Sequence, residues 1–542
     1  MRKLNNYLLL ALFSLLVFLP GIAGMPVIDR DEAHFAQASR QMLQTGNYFQ
    51  IRFQEKTRFQ KPPGINWLQA ASVKFLSDAN ASTIWPYRIP SLLGALFSVL
   101  LTYFLARQFA SEKVAALAAA LLASTLLLIV EAHMAVIDTP LLVSVLLMEI
   151  ALWMIYRDGL DNKQAPWGWA LCFWLAMAFG LVLKGVTPLI GVLSIATLCL
   201  IERKVNWLRA LQIYSGLTLF ILLSLTWVLL VNDAENSNYL MQMIQKDLLP
   251  KLQGGHESHG KPPLFHLLIL PVTFWPASLF FWQGGRYAFC HRHEKSVKFL
   301  LAWILPTWLF FEIMPTKLPQ YVLPTFPVIA ILCAMGISKF ANSETPIKTL
   351  RCLQILWGLL SVGLAASLAS LPYLLMNQWT LVAIVLFTLI TLFTFVAVYF
   401  AGRGAYQRAS LVVLLMALLS YPLIFTGLLP QLKPLWISDK IVQLIDKNSI
   451  SKEKPLLVVG FSEPSLVFNL NTYIVQFTGI KTAEYLMQKD PSRRTILQVS
   501  AFNEEIAKKK NLSILADLQG YDYSKGHWVE LLLVGQHVSG EN

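Results

Sequence analysis

The chain has 542 residues, of which 56% are hydrophobic and only 14% charged, and its mean hydropathy is +0.54. That balance excludes a soluble globular domain and a disordered chain, and identifies a polytopic helical membrane protein. The formal net charge of +13 suggests a nucleic-acid partner until the basic residues are placed; they follow membrane topology instead.

The first apolar run, Leu4 to Ala23, follows Arg2 and Lys3 and precedes small residues, as a secretory signal would. Its apolar stretch is long for a cleaved signal, so it reads as a retained helix. A polar loop follows, spanning residues 24–86. Within it Asp29-Arg30-Asp31-Glu32-Ala33-His34-Phe35 opens a helix, with Asp29 as N-cap, Glu32 as its capping-box partner and Gly46 as the stop. Asp31 is left without a structural task, and so is the carboxylate most available for chemistry. The competing reading is a solvated first turn whose acids only complement the helix dipole. Further on, Arg58-Phe59-Gln60-Lys61-Pro62-Pro63-Gly64 presents Lys61 on a backbone kept extended by the proline after it.

Span-length apolar runs then recur at Tyr87 to Phe109, Val114 to Val130, Ala135 to Tyr156, Trp167 to Leu183, Val186 to Ile201 and Leu208 to Val231. They continue at Phe265 to Trp282, Val297 to Met314, Tyr321 to Phe340, Leu353 to Leu375, Trp379 to Ala401 and Ser410 to Leu429. About thirteen spans are expected. Basic residues concentrate in alternate connections: Arg107 and Lys113, Arg157 and Lys163, Arg203, Lys204 and Arg209, Arg286 to Lys298, Lys339 to Arg351, Arg403 and Arg408. By the positive-inside rule these connections and the N-terminus are cytoplasmic. The other connections face the exterior. They carry Glu131 to Asp138, Lys184, the long loop 232–264, Lys317 and everything after Pro430. Ionisable groups this close to the membrane are costly and default to functional candidates, although a single lysine such as Lys184 or Lys317 also reads as a snorkelling anchor. The five cysteines lie in spans or near cytoplasmic ends, which leaves no exterior disulfide and no metal or redox motif.

Residues 1–430 form the expected transmembrane domain, and 431–542 a small exterior α/β domain. In the latter, short apolar runs (Pro455 to Phe461, Thr495 to Val499, Trp528 to Val534) alternate with amphipathic segments (Ile437 to Asp446, Thr482 to Gln488, Glu504 to Lys509). Gly460 to Ser465 and Gly520 to Gly526 read as turns of a scaffold. There is no internal repeat, which argues against a secondary transporter.

The exterior cations Lys61, Arg58, Arg88, Lys184, Lys261 and Lys317 suit a lipid-linked phosphate, whose charge grows as its bond to a leaving sugar breaks. In the long loop, Gly254-Gly255-His256-Glu257-Ser258-His259-Gly260-Lys261 offers His256, Glu257 and His259 as candidate ligands for a divalent metal, zinc or magnesium or manganese. A mobile or sugar-contacting loop explains the same residues.

Taken in order, Arg30-Asp31-Glu32-Ala33-His34-Phe35-Ala36 with Gln41-Met42-Leu43, Phe59-Gln60-Lys61-Pro62-Pro63, Ile137-Asp138-Thr139-Pro140, Leu183-Lys184-Gly185 and Lys317-Leu318-Pro319-Gln320-Tyr321-Val322-Leu323-Pro324 resemble the bacterial lipid A aminoarabinose transferases. They also resemble the related protein O-mannosyltransferases of the C-type glycosyltransferase fold. The resemblance runs from Asp31 to about Pro327. It implies an undecaprenyl-phosphate sugar donor, an inverting transfer on the periplasmic face of the bacterial inner membrane, and an acceptor that is lipid A, another envelope glycan or a protein. It also implies that Asp31 is the catalytic carboxylate, with Glu32 beside it and Asp138 a second acid, and that Lys61 holds the lipid phosphate. Lys184, Lys317 and Tyr321 would line the donor pocket, and His256 and Lys261 would contact a metal and a phosphate. Gln60 departs from the glutamate common there, and Arg58 from an aromatic. The expected activity is glycosyl transfer to lipid A or a similar acceptor. Protein O-mannosylation and flipping of a lipid-linked sugar are the alternatives.

Overall fold

The computed structural model describes residues 2–78, 82–161, 165–235, 238–250, 260–340, 348–447, 454–472, 474–501 and 512–536. Among these, eight helices are long and apolar enough to cross a membrane, or ten if each of two bent pairs is one span. Three shorter apolar helices, Leu4–Phe18, Trp167–Leu183 and Thr187–Glu202, occupy further expected positions. The count of about thirteen is therefore not reached by spanning length alone, because apolar runs that look continuous in sequence are shortened or broken in space.

The two breaks explain each other. One pair, Glu112–Ala123 and Leu126–Ala132, bends by 63°, and the other, Phe265–Thr273 and Ala277–Cys290, by 111°. A break at membrane depth exposes backbone groups that lipid cannot satisfy. Here the Leu126 amide donates to the Trp275 carbonyl at 2.8 Å, and the Tyr421 hydroxyl reaches the carbonyls of Ser124 and Trp275 at 3.1 and 3.2 Å. Each break thus supplies partners to the other, and Tyr421 seals the junction. The helices Asp138–Leu160 and Pro319–Lys339 form the centre, each 83% buried along its apolar window, whereas Ile213–Ala234 is only 11% buried and shows its leucines outward.

Ion pairs form within each of the two sets of connections that the charge pattern distinguishes. Asp161 and Glu202 pair with Lys295 and Lys298, all from connections read as cytoplasmic. In the other set Lys184 pairs with Asp138 and Lys61 with Asp247, all from connections read as exterior.

The opening loop folds into a helix Asp31–Thr45, a hairpin of Arg52–Phe53 and Lys56–Thr57, and a helix Gly64–Leu76. The first ends at Gly46, whose φ of 70° is the left-handed stop the sequence signals. Its polar residues Gln37, Ser39, Arg40 and Gln41 are buried, which a solvated amphipathic helix would not allow. They are buried because the helix lies between two partners. The Ser39 hydroxyl donates to Gln69 of the next helix at 2.7 Å; Gln37 donates to Thr472 and Arg40 to the Phe468 carbonyl, both at 2.6 Å.

Thr472 and Phe468 belong to the C-terminal α/β unit. Its strands run in the order Val475–Phe477, Leu456–Val459, Arg494–Gln498, His527–Gln536, Leu512–Asp522. The first three are mutually parallel and the last two antiparallel additions. Three strands and the helices Ile437–Lys447 and Ile480–Lys489 fall where the alternating segments place them. The strand Leu512–Asp522 was not anticipated, and the segment Glu504 to Lys509 lies outside the described residues.

Candidate active site

Asp31 is the first residue of its helix and is exposed. The capping scheme expected from sequence is corrected here. Arg30 is the N-cap, no side chain caps the turn, and Arg30 has φ 67° and ψ −109°. This is the mirror image of an ordinary extended residue, a region that glycine enters freely and side chains do not; holding such a conformation costs roughly 1–3 kcal/mol.

Glu32 is completely buried, and so is Arg88, two candidates for catalysis and for phosphate binding. They are joined bidentately, Arg88 Nε to Glu32 Oε1 and Nη2 to Oε2, both at 2.8 Å. The remaining guanidinium hydrogens go to the carbonyls of Ile22, Met25 and Pro26. Glu32 also accepts the amides of Ile28 and Ala135 at 2.8 Å. An arginine has five N–H donors, and all of Arg88's are spent on this junction. Glu32 and Arg88 therefore form a structural rivet beneath Asp31.

The remaining candidates converge. Lys184 caps the helix Trp167–Leu183, and its ammonium lies 2.8 Å from Asp138 and 4.8 Å from the centre of the Tyr321 ring. Glu131, 6% exposed, is within electrostatic reach of Asp138, Lys184 and Asp31, and Tyr321 is within reach of Lys184, Lys61, Asp138 and Asp247. Lys61 itself sits 3.6 Å from Asp247. Asp138, Lys184 and Tyr321 are in contact, and electrostatic reach extends this group to Asp31 through Glu131 and to Lys61 through Tyr321. Two glycines set it up by permitting close approach. A methyl group on Gly64 would lie 2.6 Å from the Val182 carbonyl, and one on Gly94 would lie 2.6 Å from the Pro140 nitrogen. The first contact packs the turn after Lys61 against the end of the helix carrying Lys184; the second packs Trp85–Ala106 against the start of the helix carrying Asp138.

Arg58 lies beside Lys61, its guanidinium 5.7 Å from the Phe35 ring centre. Both residues, with His34, Phe35 and Asn66, border one small space. Burial, and then the Arg58 charge, push the His34 imidazole down to about 3, so it is neutral at any physiological pH. The Tyr239 hydroxyl fixes the segment by sharing its one hydrogen between the carbonyls of Arg58 and Lys61, each 2.8 Å away.

Lys317 is 3% exposed and donates to the carbonyls of Met314 and Lys261, at 2.7 and 3.2 Å. Lys261 lies beside the bridge between Gly260 and Thr316. Nearby, His266 is buried between Glu312 and the Leu318 carbonyl, at 3.1 Å from each. This second group braces the Lys317 to Tyr321 segment from behind. His256, Glu257 and His259 lie outside the described residues. Among the described residues no three His, Cys, Asp or Glu side chains gather as metal ligands, and the Gln60 amide oxygen, buried without a partner, is a weak neutral donor.

Sequence reasoning missed Asp247, Tyr239, His266 and Glu312. Glu312 is a lone carboxylate in an apolar run, the one signal available for it; Asp247, set among Gln245, Lys246 and Lys251, and Tyr239 carried none. It also left Asp29 in the wrong role. The Asp29 carboxylate accepts the Ser465 amide at 3.0 Å, and its own amide donates to the Tyr523 hydroxyl at 2.7 Å.

With this geometry in place, comparison with known proteins is direct. A family model described as dolichyl-phosphate-mannose-protein mannosyltransferase matches residues 60–229. The undecaprenyl phosphate-alpha-4-amino-4-deoxy-L-arabinose arabinosyl transferase of Pseudomonas paraeruginosa is 29% identical over 70% of this chain and 67% of its own length. A protein of the same description from Pseudomonas fluorescens is 29% identical over 62% of this chain and 60% of its own. In structure, ArnT from Cupriavidus metallidurans bound to undecaprenyl phosphate superposes with a TM-score of 0.75 at 17% identity, covering 97% of both chains. The resemblance to these transferases thus holds, and the fold is that of the ArnT structure.

Proposed function

We propose that this chain is an inverting glycosyltransferase that moves a sugar from an undecaprenyl-phosphate donor to lipid A or another cell-envelope acceptor, on the exterior face of a bacterial inner membrane. The carrying observation is the chain of contacts and electrostatic reach from Asp31 through Glu131, Asp138, Lys184 and Tyr321 to Lys61. The relatives' names supply the donor class, and the acceptor class is what the motif resemblance implies. The N-terminus would be cytoplasmic, and the C-terminal unit exterior, from the distribution of basic residues.

In the reaction the acceptor oxygen attacks the anomeric carbon while the bond from that carbon to the phosphate oxygen breaks, and the electron pair leaves with the lipid phosphate. Lys61 and Lys184 stabilise the departing charge. Before the donor arrives, Asp247 and Asp138 keep these ammoniums charged and in place; the phosphate then takes over as their partner. In such a partly desolvated site, a cation aimed at developing charge contributes on the order of 3 kcal/mol to lowering the barrier. Asp31 receives the proton of a hydroxyl acceptor. With a phosphate acceptor, whose second pKa is around 6, it would serve only to orient.

The test is purified protein with undecaprenyl-phosphate-linked 4-amino-4-deoxy-L-arabinose and lipid A, followed by mass spectrometry of the lipid. A mass gain of one sugar supports the reading. Modification of a peptide acceptor instead would favour the mannosyltransferase reading that the family model raises, and movement of the intact lipid-linked sugar without bond cleavage would favour a flippase.

A further inference from the structure

The two turns of the C-terminal unit, at first sight scaffold, meet at one place. The loop after Leu512–Asp522 is folded by the Asp522 carboxylate, which accepts the amides of Ser524 and Lys525, each at 3.1 Å. The Ser524 hydroxyl lies between Asp522 and Glu463, at 2.7 and 2.8 Å, and the Lys525 ammonium reaches Glu463 at 3.3 Å, so that Glu463, 4% exposed, ties that loop to the turn ahead of Pro464–Leu470. The joined loops grip the residues just before Asp31. Ser465 donates to the Asp29 carboxylate, the Tyr523 hydroxyl accepts the Asp29 amide, and the Ser524 carbonyl accepts the Arg30 guanidinium at 2.9 Å. Between those grips lies Arg30, in a backbone conformation that an L residue holds only when its surroundings impose it. The unit is anchored elsewhere as well, through Gln37, Arg40 and Gln54.

We infer that the C-terminal unit is a positioning device for Asp31, its loops at Ser465 and at Tyr523 and Ser524 forcing Arg30 into the left-handed backbone that aims the carboxylate into the reaction chamber. This rests on the proposed role of Asp31. Tyr523 and Asp29 are positioning residues and touch no substrate. Without the grip, Arg30 relaxes to negative φ and Asp31 turns away, while Lys61 and Lys184, on other elements, keep their hold on the lipid phosphate. A shift of about 1 Å in a reacting group can cost roughly a hundredfold in rate.

The experiment compares full-length wild type, Tyr523→Phe, Arg30→Gly and the double variant in sugar transfer, with amide hydrogen exchange over residues 29–35 read in parallel. Tyr523→Phe is expected to lower kcat by tenfold or more, with donor KM changed less than about twofold, and to speed exchange in this segment. Arg30→Gly in the same chain is expected to restore most of kcat, since glycine adopts this backbone unaided. A Tyr523→Phe enzyme with wild-type kcat and exchange, or a loss that Arg30→Gly does not relieve, overturns the inference. Should Tyr523→Phe not fold, Arg30→Ala alone, losing the Ser524 contact while keeping the Cβ, must show the same split between kcat and KM. A wild type that transfers no sugar would defeat the proposed function instead, and the exchange data would still judge the clamp.

Discussion

Asp31 and Glu32 are adjacent in sequence and opposite in fate: the first is exposed, the second sealed against Arg88. A replacement such as Arg88→Met leaves a buried, uncompensated carboxylate and should destabilise the protein by roughly 3–5 kcal/mol, seen as a large drop in thermal unfolding temperature in detergent. Asp31→Asn should leave that temperature unchanged. It should lower the rate with a hydroxyl acceptor by roughly 10²–10⁴-fold and spare a phosphate acceptor, which a two-acceptor assay reads directly. Residue types here were legible before the structure, but partnerships were not. Asp31 could be singled out because Asp29 and Glu32 had plausible local tasks. Those tasks proved wrong, since the true partners lie 436 residues from Asp29, at Ser465, and 56 residues from Glu32, at Arg88. Local pattern has no means of seeing either.

At the scale of elements, the chamber depends on helices meeting at glycine. Gly64→Ala should push the Lys61 turn away from the helix ending at Leu183. The expected result is at least tenfold weaker binding of undecaprenyl phosphate, about 1.4 kcal/mol, measured by fluorescence competition, with Gly46→Ala as a control that alters the far end of a different helix. The helix Asp31–Thr45 shows where hydropathy reading stops. Its ends were foreseeable to within two residues, and Gly46 marked the stop. Its burial was not, because Gln37, Arg40 and Gln41 look solvent-facing until Thr472, Phe468 and Gln54 supply their partners. The bent spans carry the same lesson: a run such as Phe265 to Trp282 is mostly apolar, and nothing in its composition announces that Trp275 must pair with Leu126.

For the whole molecule, hydropathy and charge alternation made the membrane class, the sorting of polar groups into two sets of connections and the appended α/β unit readable. The coupling between the unit and the site was not, because Asp29 titrates through groups from both ends of the chain. Burial, with the Glu463 charge next, pushes its carboxyl up to about 7, against the hydrogen bond from Ser465. Asp522 and Tyr523 face it from the C-terminal side, Lys525 compensates Glu463 and Asp522, and Arg30 and Glu32 flank it in its own loop. An undocked aspartate titrates near about 4, so the docked form holds an extra proton between about pH 4 and 7. Docking should therefore weaken as pH rises through that window and level off above about 7. Limited proteolysis between the two units across pH 5 to 8 checks this, and Asp29→Asn should flatten the profile.

The central claim is that Asp31 and the lysines open on one chamber. An experimental structure with undecaprenyl phosphate bound tests it most directly. The expected result is a phosphate within hydrogen-bond reach of both Lys61 and Lys184, with the Asp31 carboxylate facing the same space and Arg88 still closed on Glu32. A phosphate seated away from both lysines, or an Asp31 turned to a separate surface, would contradict it.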